Sequence, residues 1–250
     1  MNDTSRTIEA HDIPAAFSLL SRLPIPVNHA RAGARGARAG WAWPIIGALL
    51  GGIAGIVAWL ATMIGLPPAL GAGLALATLA LLTGALHEDG LADCADGLGG
   101  GRDKSHALDI MKDSRVGAYG VVALVIAIGL RWQSLAVFEG ATIIMALMLS
   151  GAASRAAMLC AMAWMPPARQ GGLSASTGQP TRATVMIGLA LALVPLMIIA
   201  PLALIPLAIL PLPLALLARR KIGGQTGDIL GGVQHLAEIG CLFGLIITLT

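Results

Sequence analysis

The chain has 250 residues, of which 56% are hydrophobic and 12% charged, with a formal net charge of +3 and a mean hydropathy of +0.81. A water-soluble domain of this length cannot bury so much apolar surface, so the composition excludes that class and leaves a polytopic membrane protein. Only nine residues are aromatic (five Trp, three Phe, one Tyr) and no basic run is interleaved with them, which argues against nucleic-acid binding.

The first 40 residues are polar and Arg-bearing, with no short apolar core before a small-residue cleavage site, so no cleavable signal peptide is expected. Residues 13–23 read as an amphipathic segment that ends at Pro24 and Pro26 and lies on the membrane surface. A flexible linker carrying Arg31, Arg35 and Arg38 is expected next. Continuous apolar runs then cover 43–65, 69–86, 116–132, 140–165, 183–200, 202–217 and 229–249. A helix crosses the roughly 30 Å hydrocarbon core in about 20 residues. Runs without alternation read as helices rather than barrel strands. The expected fold is therefore an all-α polytopic integral membrane bundle of about seven transmembrane helices with an N-terminal amphipathic segment.

Charge sets the topology. With the N-terminus in the cytoplasm, the cytoplasmic pieces hold Arg6, Arg22, Arg31, Arg35 and Arg38, then Arg102, Lys104, Lys112 and Arg115, then Arg169 and Arg182, then Arg219, Arg220 and Lys221. That is 14 of the 16 basic residues, as the positive-inside rule requires. The two others are Arg131, at the far end of the third span, and Arg155, inside the fourth. Residues 1–42 form a cytoplasmic N-terminal segment, and 43–250 a transmembrane catalytic domain with an acidic cytoplasmic site at 87–116 and a second cytoplasmic loop at 218–228. The stretch with Pro195, Pro201, Pro206, Pro211 and Pro213 reads either as two kinked spans or as a re-entrant hairpin. Cys94, Cys160 and Cys241 form no CxxC pair and read as small buried hydrophobes.

The chemistry concentrates at Glu88, Asp89, Asp93, Asp96, Asp103, Asp109 and Asp113, seven of the thirteen acids in the chain. Carboxylates are expensive near a bilayer. Asp89, Asp93 and Asp96 are spaced i, i+4, i+7 and share a helical face. Three carboxylates on one stripe repel unless a cation sits between them, and Mg²⁺ favours oxygen ligands shared with substrate phosphates. Asp109 and Asp113, again i, i+4, are expected to open the next helix and converge on the same site. Gly97 to Gly101 are expected to let backbone amides approach a phosphate, with Arg102 for its charge. Thr226 and Asp228 are expected to face the same pocket from the start of the last span, Glu238 to be paired or protonated, and Arg155 to serve either pairing or phosphate binding. A transporter with a carboxylate-lined path is the competing class, but its site would lie near the midplane at broken helices.

Asp93-x2-Asp96-Gly97 with Asp109-x3-Asp113 distantly resembles the signature of CDP-alcohol phosphotransferases, membrane enzymes that use metal-bound aspartates; here the Arg falls at Arg102 and the gap to the second acidic pair is shorter. A closer resemblance, over nearly the whole chain, is to the cobalamin synthase (adenosylcobinamide-GDP ribazoletransferase) family. It is carried by residues 17–26 (FSLLSRLPIP), 87–102, 111–120 (MKDSRVGAYG) and 223–228 (GGQTGD). The resemblance implies a Mg²⁺-dependent reaction in the bacterial inner membrane: the ribose 3′-hydroxyl of α-ribazole, or of its 5′-phosphate, attacks the cobinamide-side phosphate of adenosylcobinamide-GDP, and GMP leaves. Together with the residue reading it implies Asp89, Asp93, Asp96 and Asp113 as metal ligands, these with Asp109 as the catalytic set, and Arg102, Arg115, Gly97, Gly100, Thr226 and Asp228 as substrate-binding residues. The lipid bilayer is the expected partner, and a homo-oligomer stays open.

Overall fold

In a computed structural model, residues 7–250 are described; Arg6, counted above among the cytoplasmic charges, lies outside them. A short α1 (Asp12–Leu20) and α2 (His29–Arg35) lead through a 3₁₀ segment (Gly36–Ala42) into α3 (Trp43–Met63). Then come α4 (Pro68–Thr83), α5 (Leu86–Gly100), α6 (Lys104–Ile110), α7 (Ala118–Ala136) and α8 (Thr142–Trp164). After a loop holding α9 (Leu173–Thr177), α10 (Arg182–Ile199) precedes α11 (Leu204–Ile209), α12 (Leu212–Lys221) and α13 (Gly227–Leu249). Among the described residues, 6 helical stretches are long and apolar enough to cross a bilayer, and the bent pair α4–α5 can make a seventh. The molecule is an all-helical, multi-span membrane protein.

Glycines set the closest approach in the bundle. Gly47, Gly51 and Gly55 recur every four residues on α3, and a Cβ on any of them would collide with the backbone of α8 at Gly151, Leu147 or Ile144. Small residues at this spacing let two helices pack backbone to backbone, which drives association where lipid competes for every apolar side chain. α13 is the central helix, packed against α8 on one side and α5 on another.

Three local expectations are corrected. The linker with Arg31 and Arg35 is folded: Arg35 donates to Asp12 from Nε (2.8 Å) and Nη2 (2.7 Å), and Trp41 Nε1 donates to the same carboxylate at 2.7 Å. That buried pair ties α1 to α2 and to the 3₁₀ segment. Residues 97–100, expected to present backbone amides to a phosphate, form the last turn of α5. Asp109 and Asp113 open no helix, because Asp103 caps α6 six residues earlier by accepting from His106 N (2.9 Å), and α6 is over at Ile110. In the Pro-rich stretch, Arg182–Ile199 and Pro201–Lys221 each have the length and hydropathy of a span, with the break at Ala200, which leaves the helical region.

The turn from α4 into α5 positions the site. Gly84 (φ 66°) and Ala85 (φ 54°) both adopt left-handed backbone, and α5 leaves at 89° to α4. For an alanine that conformation costs about 1–2 kcal/mol. With 15 residues, α5 is too short to span alone and instead packs against α7 and α13.

Candidate active site

Two loops that are far apart in sequence meet at one end of the bundle. Ala168 N donates to Gln225 O (2.8 Å) and Gln225 N to Pro166 O (2.8 Å), which ties the loop after α8 to the one before α13. This brings Arg169 within 3.6 Å of Asp228. Thr226 caps α13, accepting from Ile229 N at 3.2 Å, and its hydroxyl donates to Asp228 Oδ2 at 3.0 Å. Thr226 therefore aims Asp228. Beside them is a cavity of about 200 Å³ whose polar side is lined by His87, Asp89, Arg169 and Asp228.

Asp93 lies one turn beyond Asp89 on α5. Burial first, then the charges of Asp89, Asp228 and Asp96, push its carboxyl up to about 7, while Arg169 acts in the opposite direction. Carboxylates from α5 and α13 thus crowd one another at the cavity, the situation a cation relieves. Among the described residues no three His, Cys, Asp or Glu side chains stand in metal-holding geometry.

Asp96 is occupied differently. Its carboxylate accepts from Gly117 N (2.7 Å) and Gly120 N (2.9 Å), so it caps the N-terminus of α7 from the neighbouring helix. Both glycines are required for that approach, since a Cβ at either would overlap the Asp96 carboxylate. Part of the Asp-Ser-Arg-x-Gly-Ala-Tyr-Gly motif is therefore a seat for Asp96. Gly97 and Gly101 pack against Ala107 of α6, and Gly99 lies under the Tyr119 ring, while Gly100 is exposed. These glycines bring helices together; the amides expected to meet a phosphate are inside helix α5.

Asp109 and Asp113 are not brought to the cluster. Asp109 is exposed and 3.7 Å from Lys112. Asp113 accepts from Arg115 Nη2 at 2.6 Å, and that hydrogen bond holds its carboxyl below the usual range. Neither is among the charges acting on Asp93. Arg102 is exposed just past the end of α5.

Below the cavity lies a buried charge network. Glu238 accepts from Arg131 Nη2 (2.7 Å), Arg155 Nη1 (3.3 Å) and Gln234 Nε2 (2.7 Å). Arg131 also reaches Glu88 Oε1 at 3.1 Å and His235 Nε2 at 3.1 Å. Two cations and two carboxylates balance, and they lock α5, α7, α8 and α13 together. Arg155 thus has the structural partner that its position in a span demanded. The sequence reading counted Arg169 for topology and missed its place in the site. A lone Arg in a Pro-Pro-Ala-Arg-Gln-Gly-Gly loop was the available signal.

Comparison with known proteins identifies the family. The cobalamin-5-phosphate synthase family matches residues 12–246. A relative from Bradyrhizobium diazoefficiens, described as an adenosylcobinamide-GDP ribazoletransferase, is 46% identical over 95% of this chain and 93% of its own length. Relatives of the same description from Sinorhizobium sp (40% identical, 95% of this chain and 96% of the relative) and Azorhizobium caulinodans (41%, 94% and 95%) follow. No solved structure matches. A family match across nearly the whole chain, with relatives this similar end to end, leaves one conclusion: the chain belongs to the cobalamin-5-phosphate synthase family.

Proposed function

We propose that this chain is an adenosylcobinamide-GDP ribazoletransferase, joining the cobinamide phosphate of adenosylcobinamide-GDP to the ribose hydroxyl of α-ribazole or its 5′-phosphate and releasing GMP, as the last assembly step of cobalamin. The observation that carries the mechanism is the meeting of Asp89 and Asp228, from α5 and α13, at one cavity, with Asp93 beside them under their combined charge.

The donor set fits Mg²⁺, being made of carboxylate oxygens only. Asp89, Asp93 and Asp228 would hold the ion; Asp96, with an amide hydrogen bond on each oxygen, positions α5 against α7. Mg²⁺ supplies charge neutralisation of a diphosphate and of the leaving phosphate. The protein does the rest. Thr226 fixes the Asp228 carboxylate by its hydroxyl. A site carboxylate that the ion leaves free would accept the hydroxyl proton as the new phosphoester bond forms. Arg102, exposed past the end of α5, is our candidate for charge on the departing GMP. Asp109 and Asp113 receive no ligand role. We place the site on the cytoplasmic face on the distribution of Lys and Arg.

The test is GMP release by the purified chain carrying Asp89→Asn, Asp93→Asn or Asp228→Asn. Each should lose at least about a hundredfold in rate, in the range of a lost charge-stabilising group. Full activity in any two would refute the assignment.

A further inference from the structure

The cavity at the site is two-faced. Leu20 of α1, Trp43 of α3 and Met158 and Met162 of α8 line one side, and all four are buried, at 2%, 3%, 5% and 1% exposure. Asp89, Asp228 and Arg169 line the other. Among the described residues Arg169 is the one Arg or Lys on its lining. Its Nη1 is buried and has no hydrogen-bond partner, and its contact with Asp228, at 3.6 Å, is longer than a hydrogen bond. A buried guanidinium nitrogen without an acceptor is costly, so an anionic ligand oxygen there would be stabilising.

These features select among ligand chemistries. An indole and two thioethers make a surface for a flat, apolar ring. Leu and Met side chains offer no acceptor to the N–H groups of guanine, so the wall is a poor seat for the guanine end of a nucleotide. Opposite it, two carboxylates can accept hydrogen bonds from hydroxyls, and the unpartnered guanidinium nitrogen can donate to a phosphate oxygen. An apolar base, a hydroxylated sugar and an optional phosphate are the parts of a nucleoside acceptor.

We propose that this cavity is the acceptor subsite, with the base of α-ribazole against Leu20, Trp43, Met158 and Met162, its ribose hydroxyls toward Asp89 and Asp228, and the 5′-phosphate, when present, on Arg169. This rests on the transferase reading above and adds where the acceptor sits and which residue distinguishes its two forms.

The experiment is GMP release by the purified full-length chain in detergent, at saturating adenosylcobinamide-GDP, with α-ribazole or α-ribazole 5′-phosphate varied. The readout is the ratio of kcat/KM for the phosphorylated over the free acceptor. Arg169→Gln should lower that ratio at least tenfold, and Arg169→Lys should restore part of it. A ratio equal to wild type in Arg169→Gln overturns the phosphate assignment. Met162→Ala, or Leu20→Ala on a different helix should the first fail to fold, should raise KM for both acceptors about tenfold. KM for adenosylcobinamide-GDP should then change less than twofold. A rise in the latter alone gives the wall to the corrinoid nucleotide and overturns the base assignment. Wild type that releases GMP while these ratios fail to move sinks the subsite alone; wild type that releases none with either acceptor sinks the transferase reading and the subsite with it.

Discussion

Gly120→Ala and Gly129→Ala are the same substitution in the same helix, α7, and should act in opposite directions. On helix propensity alone each should gain about 1 kcal/mol. Around Gly129 nothing lies within 4 Å of the added methyl, so that gain should survive. At Gly120 the methyl would overlap the Asp96 carboxylate and come to 3.1 Å from Ala92 O, a backbone atom of α5. The carboxylate can move aside only by giving up its hydrogen bonds from Gly117 N (2.7 Å) and Gly120 N (2.9 Å). Bonds to a charged group are worth about 1.5–3 kcal/mol each. Losing both outweighs the propensity gain and leaves a net cost of about 2 kcal/mol or more. On the scale of soluble chains of this length, 1 kcal/mol moves Tm by about 2–4 °C. The assay is thermal unfolding in detergent. Gly120→Ala should lower Tm by about 5 °C or more, and Gly129→Ala should leave it unchanged or higher. Equal shifts in the two variants would refute the claim that Asp96 is seated on the start of α7.

Asp93→Asn should remove activity and, at pH 8 without divalent metal, raise Tm. The folded-state pKa of this carboxyl is about 7 against an ordinary 3.8. The folded protein therefore holds the proton more tightly than the unfolded chain. The cost of ionising Asp93 begins as pH rises past 3.8 and is complete above about 7, and Asn never incurs it. A Tm difference between variant and wild type that is equal at pH 5 and pH 8 would contradict this. Glu238→Ala leaves Arg131 and Arg155 without their shared carboxylate, and breaking a buried pair costs about 3–5 kcal/mol; chemical or thermal unfolding measures it, and a shift near zero would show the network idle. Thr226→Val removes both the α13 cap and the hydroxyl that aims Asp228. It should cost about 1 kcal/mol in stability and, by freeing Asp228, a larger factor in kcat than Thr226→Ser, which keeps the hydroxyl.

The spans were legible because lipid permits few alternatives: long uncharged runs must be helices, and the expected runs 43–65, 140–165 and 229–249 return as α3, α8 and α13. The i, i+4, i+7 spacing of Asp89, Asp93 and Asp96 correctly put them on one helix. What spacing could not separate is a carboxylate that faces a cavity from one that caps a neighbouring helix, because Asp96 acquires its partners, Gly117 and Gly120, only when α7 folds back. Glycines are ambiguous for a related reason. In Gly97 to Gly101 the missing side chains make room for α6 and Tyr119, and a glycine run in sequence does not distinguish helix contact from a phosphate cradle. Asp109 to Asp113 read as a helix start because the cap at Asp103 was overlooked, although Asp103-Lys104-Ser105-His106 is a usable N-terminal signal. Arg169 reads from the sequence as a loop charge, and its approach to Asp228 depends on the pairing of two loops.

The central claim is a metal-assisted transfer at the cavity between α5 and α13. GMP release by purified wild-type chain in liposomes, given adenosylcobinamide-GDP, with and without α-ribazole and with Mg²⁺ or EDTA, tests it most directly. The account predicts release only when acceptor and Mg²⁺ are both present, in amounts matching the corrinoid product. Release that continues in EDTA, or that ignores the acceptor, would contradict it.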